Sequence, residues 1–92
     1  MTVLIVGGDY LGKIPERLKE LGFSQIQHLS GRKVNHIEAK LPHSVDVILV
    51  LVDYINHPLA CKIKREAQRR GVKALFARRS WSHISQVLQR AC

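Results

Sequence analysis

Basic side chains are concentrated between positions 62 and 79 of this chain, where eight of them accompany a single acid, Glu66. Eight cations and one anion leave this segment at +7, within a chain of 92 residues whose formal charge is +8. A concentrated excess of positive charge attracts polyanions. The chemistry indicated is therefore the binding of phosphate groups. The basic residues of the segment are Lys62, Lys64, Arg65, Arg69, Arg70, Lys73, Arg78 and Arg79. The predicted phosphate contacts among them are Lys62, Lys64, Arg65, Arg69, Arg78 and Arg79.

Three of these cations have helical spacing. Lys62, Arg65 and Arg69 stand at i, i+3 and i+7, and should share a face opposite the apolar stripe of the same segment, with Lys64 to one side. Every amphipathic helix has a polar face, so an ordinary solvated surface is one interpretation. The scarcity of acids that could pair with these cations favours a nucleic-acid-binding face.

A second group of candidates lies in loops. Arg78 and Arg79 precede Ser80, which has the right chemistry for the N-cap of a final helix. Two guanidinium groups beside a helix start can each make paired hydrogen bonds to a phosphate, although most charged loops are merely solvated. Arg32 and Lys33, in an earlier loop, are predicted to act in the same way.

Three aromatic residues, Tyr10, Tyr54 and Trp81, lie in or beside the predicted carboxyl-edge loops. Tyr54 and Trp81 could stack on exposed bases, which suits single-stranded DNA or RNA better than an intact duplex. Packing of Trp81 against the core or a neighbouring subunit is an equal alternative. The leading hypothesis is a sequence-tolerant, nucleic-acid-binding protein without catalytic residues.

A glycine pair offers a different site. Gly7, Gly8, Asp9 and Tyr10 follow an apolar run, where glycines let a backbone approach a phosphate closely. The string GGDYLG matches neither the dinucleotide fingerprint nor the P-loop, and a tight turn explains it as well. This loop is the first half of an alternative hypothesis, in which the protein binds or hydrolyses a nucleotide or another phosphorylated small ligand.

The second half of that alternative is Asn56-His57-Pro58. A residue before proline avoids helical backbone angles, so we expect His57 at the cap of a helix and Pro58 in its first turn. The imidazole and free backbone N–H groups would then form an anion site. A capped helix with a solvent-facing histidine is the equally weighted alternative.

Other reactive groups form no complete constellation. Asp9 and Asp53 could hold a divalent cation, act as acid and base together with His57, or accept a phosphoryl group at Asp53 as receiver domains do. The five histidines do not have metal-ligand spacing, so we predict no metal site and no cofactor. Cys61 is predicted to lie in the core, and Cys92 to be a free thiol.

Four apolar or β-branched runs alternate with helical segments. Three runs are almost continuously apolar, which is typical of strands buried on both faces, while the second is more polar and suits an edge. Short crossovers predict parallel strands in right-handed βαβ units. We predict one α/β domain over residues 1–92, a three-layer doubly wound sheet of four parallel strands in the order 2-1-3-4 with helices on both faces. The runs are Thr2–Val6, Phe23–His28, Val45–Val52 and Val72–Ala77.

Four apolar stripes at helical spacing complete this architecture. Proline near the start and glycine after the end punctuate the first and third of them. The stripes are Leu11, Ile14, Leu18 and Leu21; Val34, Ile37 and Leu41; Leu59, Ala60, Ile63 and Ala67; and Ile84, Val87, Leu88 and Ala91.

Ligands of open parallel sheets bind outside the carboxyl ends of the strands. Most of the candidate residues above fall in the four loops at that edge, which makes it the expected functional edge. The apolar last strand leaves a side edge that must be covered or paired, so we expect a homo-oligomer, most simply a dimer. Without a spanning segment or a signal peptide, we expect a cytoplasmic protein that does not bind membranes.

The order of motifs resembles a known family along nearly the whole chain. The strings VLIVGGDYLGKIPERLKELGF, HLSGRK, VDVILVLVDYINHPLACKIKREAQRRG and ALFARRSWSHISQVL are similar to small prokaryotic proteins grouped as domain-of-unknown-function family 2325. The matching positions are Val6-Gly7-Gly8, Asp46-Val47-Ile48, Asn56-His57 and Lys62 or Lys64. The resemblance implies a Rossmann-like or flavodoxin-like fold and assigns no activity. Asp9 stands where members often carry a basic residue or histidine, which argues against a phosphate role for that loop.

Overall fold

The computed structural model describes residues 1–8, 10–29 and 44–91 of the protein. The helix predicted over Val34 to Leu41, and the candidates Asp9, Arg32, Lys33 and Cys92, lie outside the described residues. Within them the chain forms four strands and three α-helices, with a short 3₁₀ helix, Val52–Tyr54, after the third strand. In chain order these are β1 (Thr2–Val6), α1 (Ile14–Glu20), β2 (Gln25–Leu29), β3 (Val47–Leu51), α2 (His57–Arg70), β4 (Lys73–Ala77) and α3 (Trp81–Ala91).

The four strands form one parallel sheet in the order β2-β1-β3-β4. This confirms the predicted order, in which β2 lies on one side of β1 and β3 and β4 lie on the other. The register places Val3 of β1 beside Val47, and Val47 beside Lys73. All carboxyl ends therefore meet at one edge, and the loops that follow β1, β3 and β4 begin there.

Alternate residues of the central strands supply two separate cores. Val3, Ile5 and Leu49 point to the face covered by α1 and α3, and belong to one buried cluster. Leu4 and Val50 point to the other face, where they pack with residues of α2 in a second cluster. Both faces of β1 and β3 are thus apolar, as the continuous runs predicted. Helices on both faces are confirmed.

Two apolar residues of the predicted stripes and runs are exposed among the described residues. Leu21 is not part of the core, because α1 ends at Glu20 and leaves the Leu21 side chain 57% exposed. Val52 is exposed because β3 ends at Leu51 and the chain enters the 3₁₀ helix. Within the described ranges, no helix has the length and apolar character required to cross a membrane.

Local sequence determines both ends of α2. Asn56 has extended backbone angles, and its side-chain oxygen accepts a hydrogen bond from the Leu59 N–H at 2.8 Å. At the other end Gly71 adopts φ +71°, a left-handed conformation that glycine enters without steric cost. The following N–H, of Val72, bonds back to the Ala67 carbonyl at 2.9 Å. Pro58 in the first turn and the glycine end of this helix are as predicted.

Replacing Ile63 with alanine should destabilise the fold by about 2–5 kcal/mol, because it leaves a cavity under α2 where the side chain is now fully buried. Urea unfolding followed by circular dichroism measures this change in unfolding free energy. The matched control is Gln68→Ala, at an exposed position of the same helix, which should shift it by no more than about 0.5 kcal/mol. Equal effects of the two substitutions would contradict this account of how α2 is anchored.

Candidate nucleic-acid interface

Arg79 ties together three loops at the carboxyl edge of the sheet. Its backbone N–H donates to both carboxylate oxygens of Asp53, at 3.0 and 3.2 Å. Its side-chain Nε donates to the Tyr10 carbonyl oxygen at 2.9 Å. We call this arrangement the Arg79 clip. It connects the loops that follow β1, β3 and β4, and sequence reasoning missed it.

The clip changes what Asp53 can do. Both carboxylate oxygens of Asp53 accept the Arg79 N–H. Fewer of their lone pairs are then available to coordinate a cation or to accept a phosphoryl group. No group of three or more histidine, cysteine, aspartate or glutamate residues that could hold a metal ion occurs in the described part of the chain. Asp9, the proposed second carboxylate, is not described. The metal and receiver-like hypotheses therefore gain no support from this edge.

Gly7 and Gly8 form a bend in which the Gly7 N–H and both glycine carbonyls are hydrogen-bonded. The Gly7 N–H donates to the Leu29 carbonyl at 2.9 Å. Both glycine carbonyls face Nε2 of His28, at 3.1 and 2.9 Å, so the imidazole must carry its proton there. A Cβ on Gly7, which has φ +111°, would lie 3.0 Å from the Leu51 carbonyl oxygen.

Gly7 is therefore needed where β1 passes close to the end of β3. These contacts favour the tight-turn interpretation over the phosphate loop. Sequence reasoning gave His28 no role, although it lies on β2 opposite Ile5, near the end where the glycines follow.

The start of α2 offers fewer free donors than predicted. Asn56, rather than His57, is the N-cap, so the predicted position of the cap was wrong by one residue. The short Asn56 side chain reaches the Leu59 N–H and occupies it. Pro58 has no N–H. Among the first three residues of the helix, His57 is therefore the one whose backbone N–H the Asn56 cap leaves open. This geometry gives little to an isolated phosphate group.

The basic residues of α2 divide into two groups. Arg69 donates through Nε and Nη2 to Glu66, and Arg70 Nε donates to the same carboxylate at 2.9 Å. The Glu66 residue is only 5% exposed. In contrast, Lys62, Lys64 and Arg65 are exposed and form no ion pair with an acid of the described residues.

The Glu66 carboxyl is held in its charged form by its neighbours. The hydrogen bond from Arg69 lowers the pKa of Glu66 below the ordinary value, burial raises it in part, and Arg70 lowers it again. The Arg69 side chain remains 70% exposed despite this pair. Arg69 can therefore still contact a ligand, although its charge is already paired with the Glu66 carboxylate.

Arg78 and Ser80 remain at the surface beside α3. The Arg78 side chain is exposed, while its backbone N–H donates to Nδ1 of His83 at 2.9 Å. Helix α3 begins at Trp81, directly after Ser80, and the Ser80 carbonyl accepts the Ile84 N–H at 2.8 Å. Arg78 is thus an exposed cation whose backbone is fixed by the first turns of α3.

The aromatic residues are divided between surface and core. Tyr10 is 78% exposed and Tyr54 is 51% exposed, and both lie in loops joined by the Arg79 clip. Trp81 is half-buried against the core under α1 and α3, with the Arg17 guanidinium 5.9 Å from the centre of its ring. Of the two sequence interpretations of Trp81, packing is the one this position favours. Tyr10, like Tyr54, has the exposure that stacking requires.

Cys61 does not lie in the core, contrary to prediction. It stands two residues from both Leu59 and Ile63, and a two-residue step turns about 200° around a helix, towards the opposite side. The thiol is half-buried, and its Sγ atom lies 3.5 Å from Nε2 of His57, one turn earlier. It therefore belongs to the outer surface of α2.

Comparison with known proteins identifies one family. A family model described as "Uncharacterized protein conserved in bacteria (DUF2325)" matches residues 2–91, which is nearly the whole chain. No curated protein and no solved structure matches the chain. The match agrees with the resemblance seen in the sequence motifs.

Glu66→Gln should lower the melting temperature at neutral pH, because it removes the charge that two arginines surround. The folded protein lowers the pKa of Glu66, so its charged form stabilises the fold above the ordinary glutamate pKa. This contribution is lost as the pH falls through the lowered value. Melting curves of both proteins across the acid range should therefore converge as the pH decreases. A difference between them that stays constant with pH would contradict this role for Glu66.

Proposed function

We propose that this chain, which belongs to the bacterial protein family described as uncharacterized (DUF2325), binds single-stranded nucleic acid through α2 and the adjoining carboxyl-edge loops. The observation that carries the proposal is a set of four exposed cations without an acidic partner among the described residues. They are Lys62, Lys64, Arg65 and Arg78. The proposal concerns binding and requires no reaction.

The position of these cations supports contact with a polymer rather than with one phosphate. Helix α2 starts at the carboxyl edge, so its residues from Lys62 to Arg65 lie within roughly 8–12 Å of that start along the helix axis. Arg78 occupies a loop of the same edge, after β4. Phosphates that recur along a backbone can reach separated cations, whereas a single phosphorylated ligand cannot.

Exposed tyrosines support a single strand as the ligand. Tyr10 and Tyr54 present aromatic surface at the edge that carries Arg78, and aromatic rings stack on unpaired bases of any sequence. A strand whose bases are already paired offers such rings only its ends. We therefore expect weak sequence preference, since phosphate contacts carry little sequence information.

The other predicted contacts surround these residues. Arg69, Asn56, His57, Arg79 and Ser80 adjoin the surface, with the internal partners already described. Arg32 and Lys33 remain predictions outside the described residues. A homodimer, which would present two copies of the surface, also belongs to the proposal.

Removal of a phosphate-binding cation should weaken nucleic-acid binding and should also make the affinity less dependent on salt concentration. Each of Lys62→Ala, Arg65→Ala and Arg78→Ala should lower the slope of log affinity against log salt concentration by about 0.7 for each phosphate that is no longer neutralised. Fluorescence anisotropy with labelled single-stranded DNA and RNA measures both quantities. Lys19→Ala removes an exposed cation from α1, on the other face of the sheet, and should leave them unchanged. Absence of binding at low salt, or binding that salt does not affect, refutes the proposal.

Tyr54→Ala should weaken binding by about 1–3 kcal/mol, the contribution of one stacked base, and leave the salt slope unchanged. Tyr54→Phe keeps the aromatic ring and should bind as the unmodified protein does. The same anisotropy titrations test both variants. If Tyr54→Phe loses as much affinity as Tyr54→Ala, the hydroxyl rather than stacking is responsible.

A further inference from the structure

The two edges of the described sheet differ in chemistry. β2 carries Gln25, Gln27 and His28 and is polar along most of its length. β4 consists of Lys73-Ala74-Leu75-Phe76-Ala77, so four of its five residues are apolar. In the described sheet β4 is paired with β3 on one side, and an apolar strand at the edge of a sheet invites pairing with another strand.

The burial of β4 is incomplete on both faces. Leu75 packs against the core under α1 and α3, and Phe76 packs against the core under α2, yet both are only half-buried. Their neighbours in register on β3, Leu49 and Val50, are fully buried. Among the described residues β3 is paired on both sides, by β1 and β4, whereas β4 is paired with β3 alone. One further strand beside β4 would bury Leu75 and Phe76 as β3 residues are buried.

We propose that this strand is β4 of a second copy, paired antiparallel about a two-fold axis that passes beside Leu75. In this register Leu75 lies opposite Leu75 of the second copy, and Ala74 lies opposite Phe76. Each large ring thus meets a small methyl group, and each Lys73 meets Ala77. The segment is therefore complementary in size to itself when its direction is reversed.

The charges of the strand also favour this arrangement. Lys73 is the one charged residue of β4, and the antiparallel register places the two copies of it at opposite ends of the paired segment. Pairing with the strands parallel and in register would bring the two copies of Lys73 side by side, where like charges repel each other. A two-fold axis closes the assembly at two chains.

The pairing has a consequence for the basic surface, and this consequence alone rests on the proposed function. A two-fold axis perpendicular to the sheet keeps both copies of α2 on one face. Because the strands run in opposite directions, the two carboxyl edges lie at opposite ends of that face. The exposed cations of both helices would then lie between two sets of Tyr10 and Tyr54.

A single cysteine at the axis tests the register. In a chain with Cys61→Ser and Cys92→Ser, Leu75→Cys should form a disulfide-linked dimer under mild oxidation. Opposite residues of antiparallel strands have Cα atoms about 4.5–5.5 Å apart, within the range of a disulfide. Gln25→Cys, an exposed residue of the other edge strand, is the matched control and should stay monomeric on a non-reducing gel. Equal linkage of both variants, or none of Leu75→Cys, overturns the proposal.

Sedimentation equilibrium of the unmodified protein tests the same interface without a cross-link. We expect a dimer, and a folded monomer for Leu75→Lys, with folding checked by circular dichroism. A monomeric unmodified protein, or a Leu75→Lys variant that remains dimeric, overturns the pairing. Oligonucleotide binding by a monomeric protein overturns the pairing and the proposed homodimer, and leaves the proposed nucleic-acid binding standing. A dimer linked through Leu75→Cys that binds no oligonucleotide supports the pairing and refutes the proposed function.

Discussion

Burial of β3 on both faces is the constraint on which the architecture depends. All five residues of Val47–Leu51 are buried, and the strand is paired on both sides, by β1 and β4. A strand without a solvated face requires a helix layer above and below the sheet, and the described helices supply both layers, with α1 and α3 on one face and α2 on the other. Parallel connections return the chain to the same edge each time. The loops that carry Tyr10, Tyr54 and Arg78 are therefore neighbours because of how the core packs.

Glu66 decides how much of the basic segment is available to a ligand. A carboxylate this far from solvent is stable only with hydrogen-bonded cations beside it, and Arg69 and Arg70 supply them. The net charge of the sequence counts these arginines as fully as it counts Lys62. In the fold they are committed, partly or wholly, to keeping one acid charged. The cations left for a polyanion are fewer than the sequence count, but they remain near the carboxyl edge.

The sequence predicts the fold well because its signals are apolar side chains with a period. Continuous runs predicted the buried strands, and the strand order followed from short crossovers. The candidate site was predicted less well because many of the hydrogen bonds that hold it together involve backbone atoms. The Tyr10 carbonyl that accepts from Arg79, and the glycine carbonyls that accept from His28, leave no pattern of residue types. The prediction for Cys61 was wrong for a different reason, because it relied on the apolar character of cysteine rather than on the position of this residue around the helix.

Arg79 was predicted to bind phosphate, but the Arg79 clip suggests a different role for it in the proposed interface. Its guanidinium fixes the Tyr10 carbonyl, and its backbone fixes Asp53, the residue before Tyr54. Loops held in this way lose their conformational freedom on folding, before a ligand arrives. Less entropy is then lost when bases stack on the two tyrosines, and preorganisation of this kind raises affinity without any additional interaction. The residue would thus act on a nucleic acid through the aromatic rings that it positions, while exposed cations such as Arg78 contact the phosphates.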